Sequence, residues 1–551
     1  MSESVSGGQA IIDAVVRNGV DTVFGLPGAQ IYPLFDALHG HADTVRTISC
    51  RHEQAAGYMA MGYAKATGRP GVYAVVPGPG VLNTTAALCT AWGCNTPVLC
   101  LTGQVPSAFL GRGRGHLHEL PDQLATLKSL LKWAERIDRA ANAPRQVNEA
   151  FAAMQSGRPG PVALEMCWDV MAQPDEVGAL DAVALPSGPE PDPEAIAAAV
   201  GLLKGAKAPM IMVGGGAQHA AAAVQALAER LGAPVTSFRS GRGIVSEAHP
   251  LGLSSAAAHE LWPETDVLIG IGSRLELQYM RWSSMMAYVG RAEAPPHLIR
   301  IDIDPAEMDR LQPHVGIVAD AGDGAAALLA AVERAGLTPA ANAERIETAR
   351  QTARGKIEAI QPQMAYLDVI RAVLPADGFF VEELCQAGFA SYYGFPVYQP
   401  RTYVTPGFQG TLGFGYPTAL GVKAAHPDRA VVSINGDGGF MFGVQELATA
   451  AQYNLGVVAL VFNNSAFGNV RRDQRTAFQG RIIGSGLQNP DFLKLAEAYG
   501  VAGYRVASPE ALRPVLEKAL AANAPALIEI EIAPDSEASP WPYIHPQPPV
   551  A

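Results

Sequence analysis

Two apolar runs in the last third of the chain end in residues that suit a metal ion and a phosphate. Ala430-Val431-Val432-Ser433-Ile434 runs into Gly436-Asp437-Gly438-Gly439, and Val457-Val458-Ala459-Leu460-Val461-Phe462 runs into Asn463-Asn464. Asp437 offers a hard anionic oxygen and Asn464 a neutral amide oxygen. One carboxylate, one carbonyl and room for phosphate and water suit Mg²⁺, which is rarely caged by protein alone. The glycines let backbone N–H groups approach phosphate oxygens. A lone glycine–aspartate–glycine is more often a plain turn. Here, after 24 further residues, Asn-Asn closes a second buried strand, and open α/β sheets bind ligands at such strand ends. A second candidate is Glu53, directly after the apolar stretch 45–49. Its small neighbours Ala55, Ala56 and Gly57 offer little solvation, so a dry site would raise its pKa. Taken alone, such a glutamate is more often a surface or helix-start residue.

These residues need strands to carry them, and the sequence supplies strands alternating with helices. Strand-like runs at 21–25, 45–49, 71–76, 98–102 and 160–166 alternate with helical stretches at 7–19, 56–67 and 83–92. This alternation predicts a doubly wound parallel sheet. A second α/β unit starts near Ala208, with strands at 210–213, 235–237, 267–271 and 298–303. The third holds Asp437 and Asn464. The expected fold is therefore α/β with three doubly wound parallel-sheet domains, at residues 1–171, 190–337 and 362–535. Linkers are expected at 172–193 and 338–361, and an extended proline-rich tail at 536–551. A chain of 551 residues with 48% hydrophobic content can form several cores. A net charge of −12 without basic runs argues against nucleic acid. No stretch reads as a signal peptide or membrane span. The six cysteines fit no zinc spacing and suit a reducing, cytoplasmic setting.

The stretch from Ile434 to Asn464 resembles the diphosphate-binding motif of thiamine-diphosphate (ThDP) enzymes, most closely the acetolactate synthase-like and benzaldehyde lyase-like branch. The resemblance runs from about Gly8 to about Ile532 in three blocks. It implies pyrimidine-binding, central and diphosphate-binding domains, in that order. It implies that Asp437, Asn464 and the Ala466 carbonyl bind Mg²⁺, with Gly436, Gly438 and Gly439 at the diphosphate. RHEQAAGYMAMGYA is similar to the family's glutamate block. Glu53 would then hydrogen-bond N1′ of the aminopyrimidine and support loss of the thiazolium C2 proton. GTLGFG resembles the turn that grips the pyrimidine, with the Gly410 carbonyl accepting from N4′ and Leu412 wedged between the rings. The resemblance also implies a cofactor shared between two subunits, hence a homodimer at least, with a homotetramer expected.

The resemblance implies a carboligation or lyase step next to a carbonyl, on a 2-keto acid or 2-hydroxy ketone. Alternatives are a 2-keto acid decarboxylase and a non-catalytic nucleotide-binding paralogue. Val470 stands where decarboxylases of the family carry an acid, and Asp473 where acetolactate synthases carry a tryptophan. The segment TGQVPSAFLGRGRGHLHELPDQ brings His116, His118 and Glu119. They are either substrate-facing acid–base groups or members of a solvated loop. Gln30 holds a substrate-facing position by the same resemblance, suited to hydrogen bonding without proton transfer, and the resemblance sets His118 and Asp473 on the substrate side with it. Gly214-Gly215-Gly216 and Ile301-Asp302-Ile303-Asp304-Pro305 match the middle domain of flavin-binding relatives. Ser273-Arg274-Leu275-Glu276-Leu277 lacks that motif's aspartates, so FAD, another nucleotide and an empty site all stay open.

Overall fold

Each α/β unit forms a six-stranded parallel sheet. The computed structural model describes residues 2–178, 180–275, 279–283 and 296–545. Glu276, Leu277 and the tail residues 546–551 lie outside the described residues. The first sheet runs, edge to edge, Arg46–Ser49, Thr22–Gly25, Gly71–Val75, Val98–Gln104, Val162–Cys167, Trp133–Ile137. The third runs Tyr403–Val404, Phe379–Val381, Val431–Gly436, Val457–Asn463, Ala526–Glu531, Ala502–Val506. Both therefore share one order: second strand, first, third, fourth, sixth, fifth. The central sheet runs Gly252–Leu253, Val235–Thr236, Pro209–Val213, Val267–Ile271, His297–Asp302, Val315–Val318. That is the third-second-first-fourth-fifth-sixth order of dinucleotide-binding folds. Among the described residues no helix is long and apolar enough to cross a membrane.

The first and third units share a core. Tyr58, Met59 and Tyr63 from the helix Glu53–Thr67 belong to one buried cluster with Phe414, Tyr416 and Leu420 around the helix Gly415–Ala425. The two helices touch backbone to backbone. A methyl at Gly62 would overlap the Thr418 carbonyl, and one at Gly421 would overlap the Met59 carbonyl. Tyr58 adds an edge-on contact with Phe414, ring centroids 5.6 Å apart.

Three expectations need correction. Within the expected linker at 172–193, Pro174–Gly178 forms a strand that pairs antiparallel with Ser2–Ser6. Its Pro, Asp, Glu and Gly content hides a strand whose partner lies at the other end of the unit. Within 338–361, Ala343–Ile357 is a helix that buries Ile346, Ala349, Ala353 and Ile357. That stripe has helical spacing, but the many charged residues around it masked it. The tail is not extended throughout: Trp541–Ile544 is a helical turn, with Trp541 packed on Phe389 at 5.1 Å.

The helix contact makes a paired prediction. Gly421→Ala should destabilise the fold by about 1–3 kcal/mol through overpacking. Gly355→Ala, in a helix with nothing near the new methyl, should stabilise it by ~0.5–1 kcal/mol. Denaturant midpoints of the two variants should move in opposite directions. A neutral Gly421→Ala would mean the helices can separate at no cost.

Candidate active site

Glu53 is the first residue of its helix, and His52 caps it by accepting from the Gln54 N–H at 3.1 Å. The Glu53 carboxylate is half-buried and accepts from Asn83 Nδ2 at 2.9 Å. The turn leading into Glu53 is held from the third unit. Both oxygens of buried Glu446 accept from the Arg51 N–H, at 3.0 and 3.1 Å, and Tyr453 Oη accepts from the Ser49 N–H at 2.9 Å. Burial pushes the Glu446 carboxyl pKa up, and bonds from Thr449 and the Arg51 N–H pull it back.

At the C-terminal end of the first sheet, Gln30 and His118 meet. His118 Nδ1 lies 3.0 Å from Gln30 Oε1, and Gln30 Nε2 donates to the Leu117 carbonyl at 2.8 Å. Burial lowers the His118 pKa. His116 instead stacks on Phe109 at 5.2 Å. Glu119 is used within the loop, where its oxygens accept from the Gly113 and His116 N–H groups at 3.0 Å each. Of the three loop candidates, His118 alone turns towards Gln30.

In the third unit the strand Val431–Gly436 delivers Asp437 to the start of a one-turn helix, Asp437–Phe440. The next strand, Val457–Asn463, delivers Asn464. Asp437 is buried, and Asn489 Nδ2 donates to it at 2.7 Å. Burial raises its pKa, opposed by that bond and by the backbone N–H groups of Gly438, Ala466 and Ser465. Asn464 Oδ1 accepts from the Ala466 N–H at 3.1 Å, while Nδ2 donates to Glu537 Oε2 at 2.7 Å. Asp437, Asn464 and Ala466 therefore cluster. The side-chain positions of Gly438 and Gly439 are filled by the Phe467 ring and the Glu383 carboxylate, so these glycines also serve the turn's own packing.

These observations can be set beside known proteins. Three family models match in order: the thiamine pyrophosphate enzyme N-terminal TPP binding domain at residues 5–126, the central domain at 196–328, and the C-terminal TPP binding domain at 385–530. The chain belongs to the thiamine pyrophosphate enzyme family. It is similar to the "Probable 2-ketoarginine decarboxylase AruI" of Pseudomonas aeruginosa, 35% identical over 91% of this chain and 89% of the relative. It is also similar to the acetolactate synthase isozyme 1 large subunit of Escherichia coli, 30% identical over 98% of this chain and 96% of the relative. The "Probable acetolactate synthase large subunit" of Methanococcus aeolicus is 32% identical over 97% and 93%. This chain is thus a ThDP-dependent enzyme of the acetolactate synthase-like group.

The residues present fit that cofactor. Gln386 is 6% exposed, its Oε1 has no hydrogen-bond partner among the described residues, and it lines a cavity of about 30 Å³ with Asn464, Ala466, Arg472 and Glu537. Asp437 is a buried carboxylate bonded to amides, a donor set that suits a hard cation. Gly410 (φ 58°) and Leu412 lie in a turn whose Gly413 and Gly415 N–H groups both donate to Glu383, at 2.9 Å each. Among the described residues no hydrogen bond joins Glu53 or the Gln30–His118 pair to Asp437, Asn464 or that turn.

Sequence reasoning missed several of these groups. Glu382 and Glu383 follow the buried strand Phe379–Val381; two acids closing an apolar run at a sheet's switch point were a readable signal. Asn83, Gln386, Asn489 and Glu537 carried none, because their roles depend on partners far along the chain. Val470 is 51% exposed. Asp473 is exposed too and accepts from Arg472 at 3.2 Å.

Two predictions follow from the buried acids. Asp437→Ala should abolish ThDP retention while leaving the fold, because Asp437 closes a strand and supports no core; calorimetry with ThDP and Mg²⁺ reads this, and unchanged binding would refute the assignment. Burial pushes Glu382 and Glu383 each up to about 7, from an ordinary 4.5. A raised carboxyl pKa favours the protonated fold, so this stabilisation is complete below about 4.5 and is lost as pH rises through about 7. Glu382→Gln should make the fall in melting temperature across that window shallower. An equally steep fall would mean Glu382 is not protonated in the fold.

Proposed function

We propose that this enzyme makes or breaks the carbon–carbon bond next to a carbonyl in 2-keto acids or 2-hydroxy ketones. The observation that carries the proposal is the Asp437–Asn464–Ala466 cluster beside Gln386, whose Oε1 has no partner among the described residues. When bound, ThDP supplies the carbon nucleophile and the electron sink that this chemistry needs. Asp437, Asn464 and the Ala466 carbonyl hold Mg²⁺, and Gly436, Gly438 and Gly439 lie against the diphosphate. Gly410 and Leu412 grip the pyrimidine ring, on a turn that Glu383 keeps in place. Glu53 holds a proton at the ring nitrogen N1′, and Asn83 orients its carboxylate. His118 faces the substrate, and buried Gln30 stands behind it, hydrogen-bonded to its ring.

A second reading, decarboxylation ending in simple proton delivery, is favoured by His118, which is held inward at the switch point. It matches the name of the Pseudomonas relative, as ligation matches the names of the acetolactate synthases. The working unit is a homodimer, with a homotetramer as the expected assembly and the cytoplasm as its location. Supporting this, Leu82, beside Asn83, and Met441 and Phe442, just after the Asp437 turn, are 43%, 38% and 52% exposed. Large apolar side chains beside both half-sites suit cover by a second copy.

Where the central unit meets the other two lies a cleft of about 470 Å³, walled by Gly214 and Gly272 and carrying Asp302, Asp320 and Arg239 of the central unit and Arg401 of the third. Carboxylates for hydroxyls and guanidiniums for phosphates suit a nucleotide, and FAD is one member of that class. The visible spectrum of the purified protein, and chromatography of what heat releases, identify it.

The reaction is tested by incubation with pyruvate, 2-ketoarginine and a panel of acyloins, read by mass spectrometry. Ligation gives acetolactate-type products, release gives aldehydes, and no turnover of any of them would remove the proposal. Assembly is tested by mixing inactive Glu53→Gln and Asp437→Ala chains. Activity should return in mixed dimers, and its absence despite proven subunit exchange would exclude a shared site.

A further inference from the structure

The Gln30–His118 pair is fixed more tightly than a hydrogen bond at a loop surface requires. Gln30 is 1% exposed with φ at 74°, and His118 has φ at 66°. Left-handed backbone is uncommon at residues with side chains. Both main chains press on glycines at the ends of sheet strands. The missing side chain of Gly103 is replaced by the Gln30 carbonyl, and that of Gly78 by the His118 carbonyl. The loop that carries His118 is anchored further by buried Gln123. Its Oε1 accepts from the Gly78 N–H at 2.8 Å, and its Nε2 donates to the Gly103 carbonyl at 3.0 Å and to Glu165 at 2.8 Å. Both sides of the pair therefore rest on the same two strand ends.

This geometry decides which way the Gln30 amide points. The Leu117 carbonyl only accepts, so the Gln30 group facing it at 2.8 Å must be the NH₂. Oε1 then faces His118 Nδ1 at 3.0 Å. An amide oxygen only accepts, so Nδ1 must carry a hydrogen. His118 Nε2 makes no hydrogen bond among the described residues. We infer that Gln30 is a positioning residue that fixes His118 as the Nδ1–H tautomer, leaving the Nε2 lone pair free to take up a proton at the substrate and return it. When Nε2 gains the proton, Nδ1 keeps its hydrogen and its bond to Gln30, so the ring holds one orientation in both protonation states. Burial, which lowers the pKa of His118, favours the neutral form in which Nε2 can accept. The inference rests on the reading above that His118 faces the substrate.

The test uses the full-length enzyme with ¹⁵N-labelled histidine. His118 resonances are assigned by their loss in His118→Asn. The expected spectrum of the neutral ring shows a protonated Nδ1 and a pyridine-type Nε2. Gln30→Met, of similar volume but without the acceptor, should move the population towards Nε2–H. It should also lower kcat by roughly 10²-fold, the low end for a proton-transfer group, with a much smaller change in KM. A native enzyme with Nε2–H, or an unchanged tautomer in a folded Gln30→Met, overturns the inference. If Gln30→Met misfolds, the wild-type spectrum decides alone. If the tautomer is as expected but His118→Asn leaves rates and product ratios unchanged, the substrate-facing reading fails, and the proton role with it.

Discussion

The backbone contact between the helices Glu53–Thr67 and Gly415–Ala425 governs the rest of the structure. Gly62 and Gly421 let each helix lie against a carbonyl of the other, and the first and third sheets then close over one core. Everything at the start of the first helix inherits that constraint. Glu53 is its first residue, and the turn before it is held by Glu446 and Tyr453 of the third unit. The group assigned to activate the cofactor is therefore aimed by the domain assigned to bind the diphosphate.

The third unit gathers buried carboxylates at the ends of its first and third strands. Glu382, Glu383 and Asp437 are each 2% exposed or less, and burial disfavours their charged forms. Each is met by neutral donors: Thr405 for Glu382, two backbone N–H groups for Glu383, and Asn489 for Asp437. Glu383 also fixes local backbone, because the N–H groups it holds belong to the turn carrying Gly410 and Leu412. Glu537 does the same for Asn464: by taking its Nδ2 hydrogen, it leaves Oδ1 as the oxygen facing the loop of Ala466. Burial pushes Glu537 up to about 7.

The two outer sheets share one strand order, and in each some of the candidate residues lie where that order reverses. Gln30 and Gly78 follow neighbouring strands of the first sheet, as Glu382 and Asp437 follow neighbouring strands of the third. Parallel strands leave their C-terminal ends on one side, and adjacent connections that leave in opposite directions open a crevice there. The central sheet reverses in the same way, between Pro209–Val213 and Val267–Ile271, and its cleft opens at Gly214 and Gly272.

The sequence by itself determined the three parallel-sheet units and most of their strands, because buried parallel strands are continuous apolar runs bounded by glycine and polar turns. It also pointed to Asp437 and Asn464, since each is the polar residue that closes such a run. It could not show the strand Pro174–Gly178, whose pairing partner begins at Ser2. It offered His116, His118 and Glu119 from one loop, and only the family resemblance set His118 on the substrate side. The fold separated them: Glu119 is consumed by the loop's own N–H groups and His116 by Phe109, and His118 meets Gln30 at a distance of 88 residues along the chain. A side chain's role here depends on which donor or acceptor faces it, and only the packing of distant segments decides that.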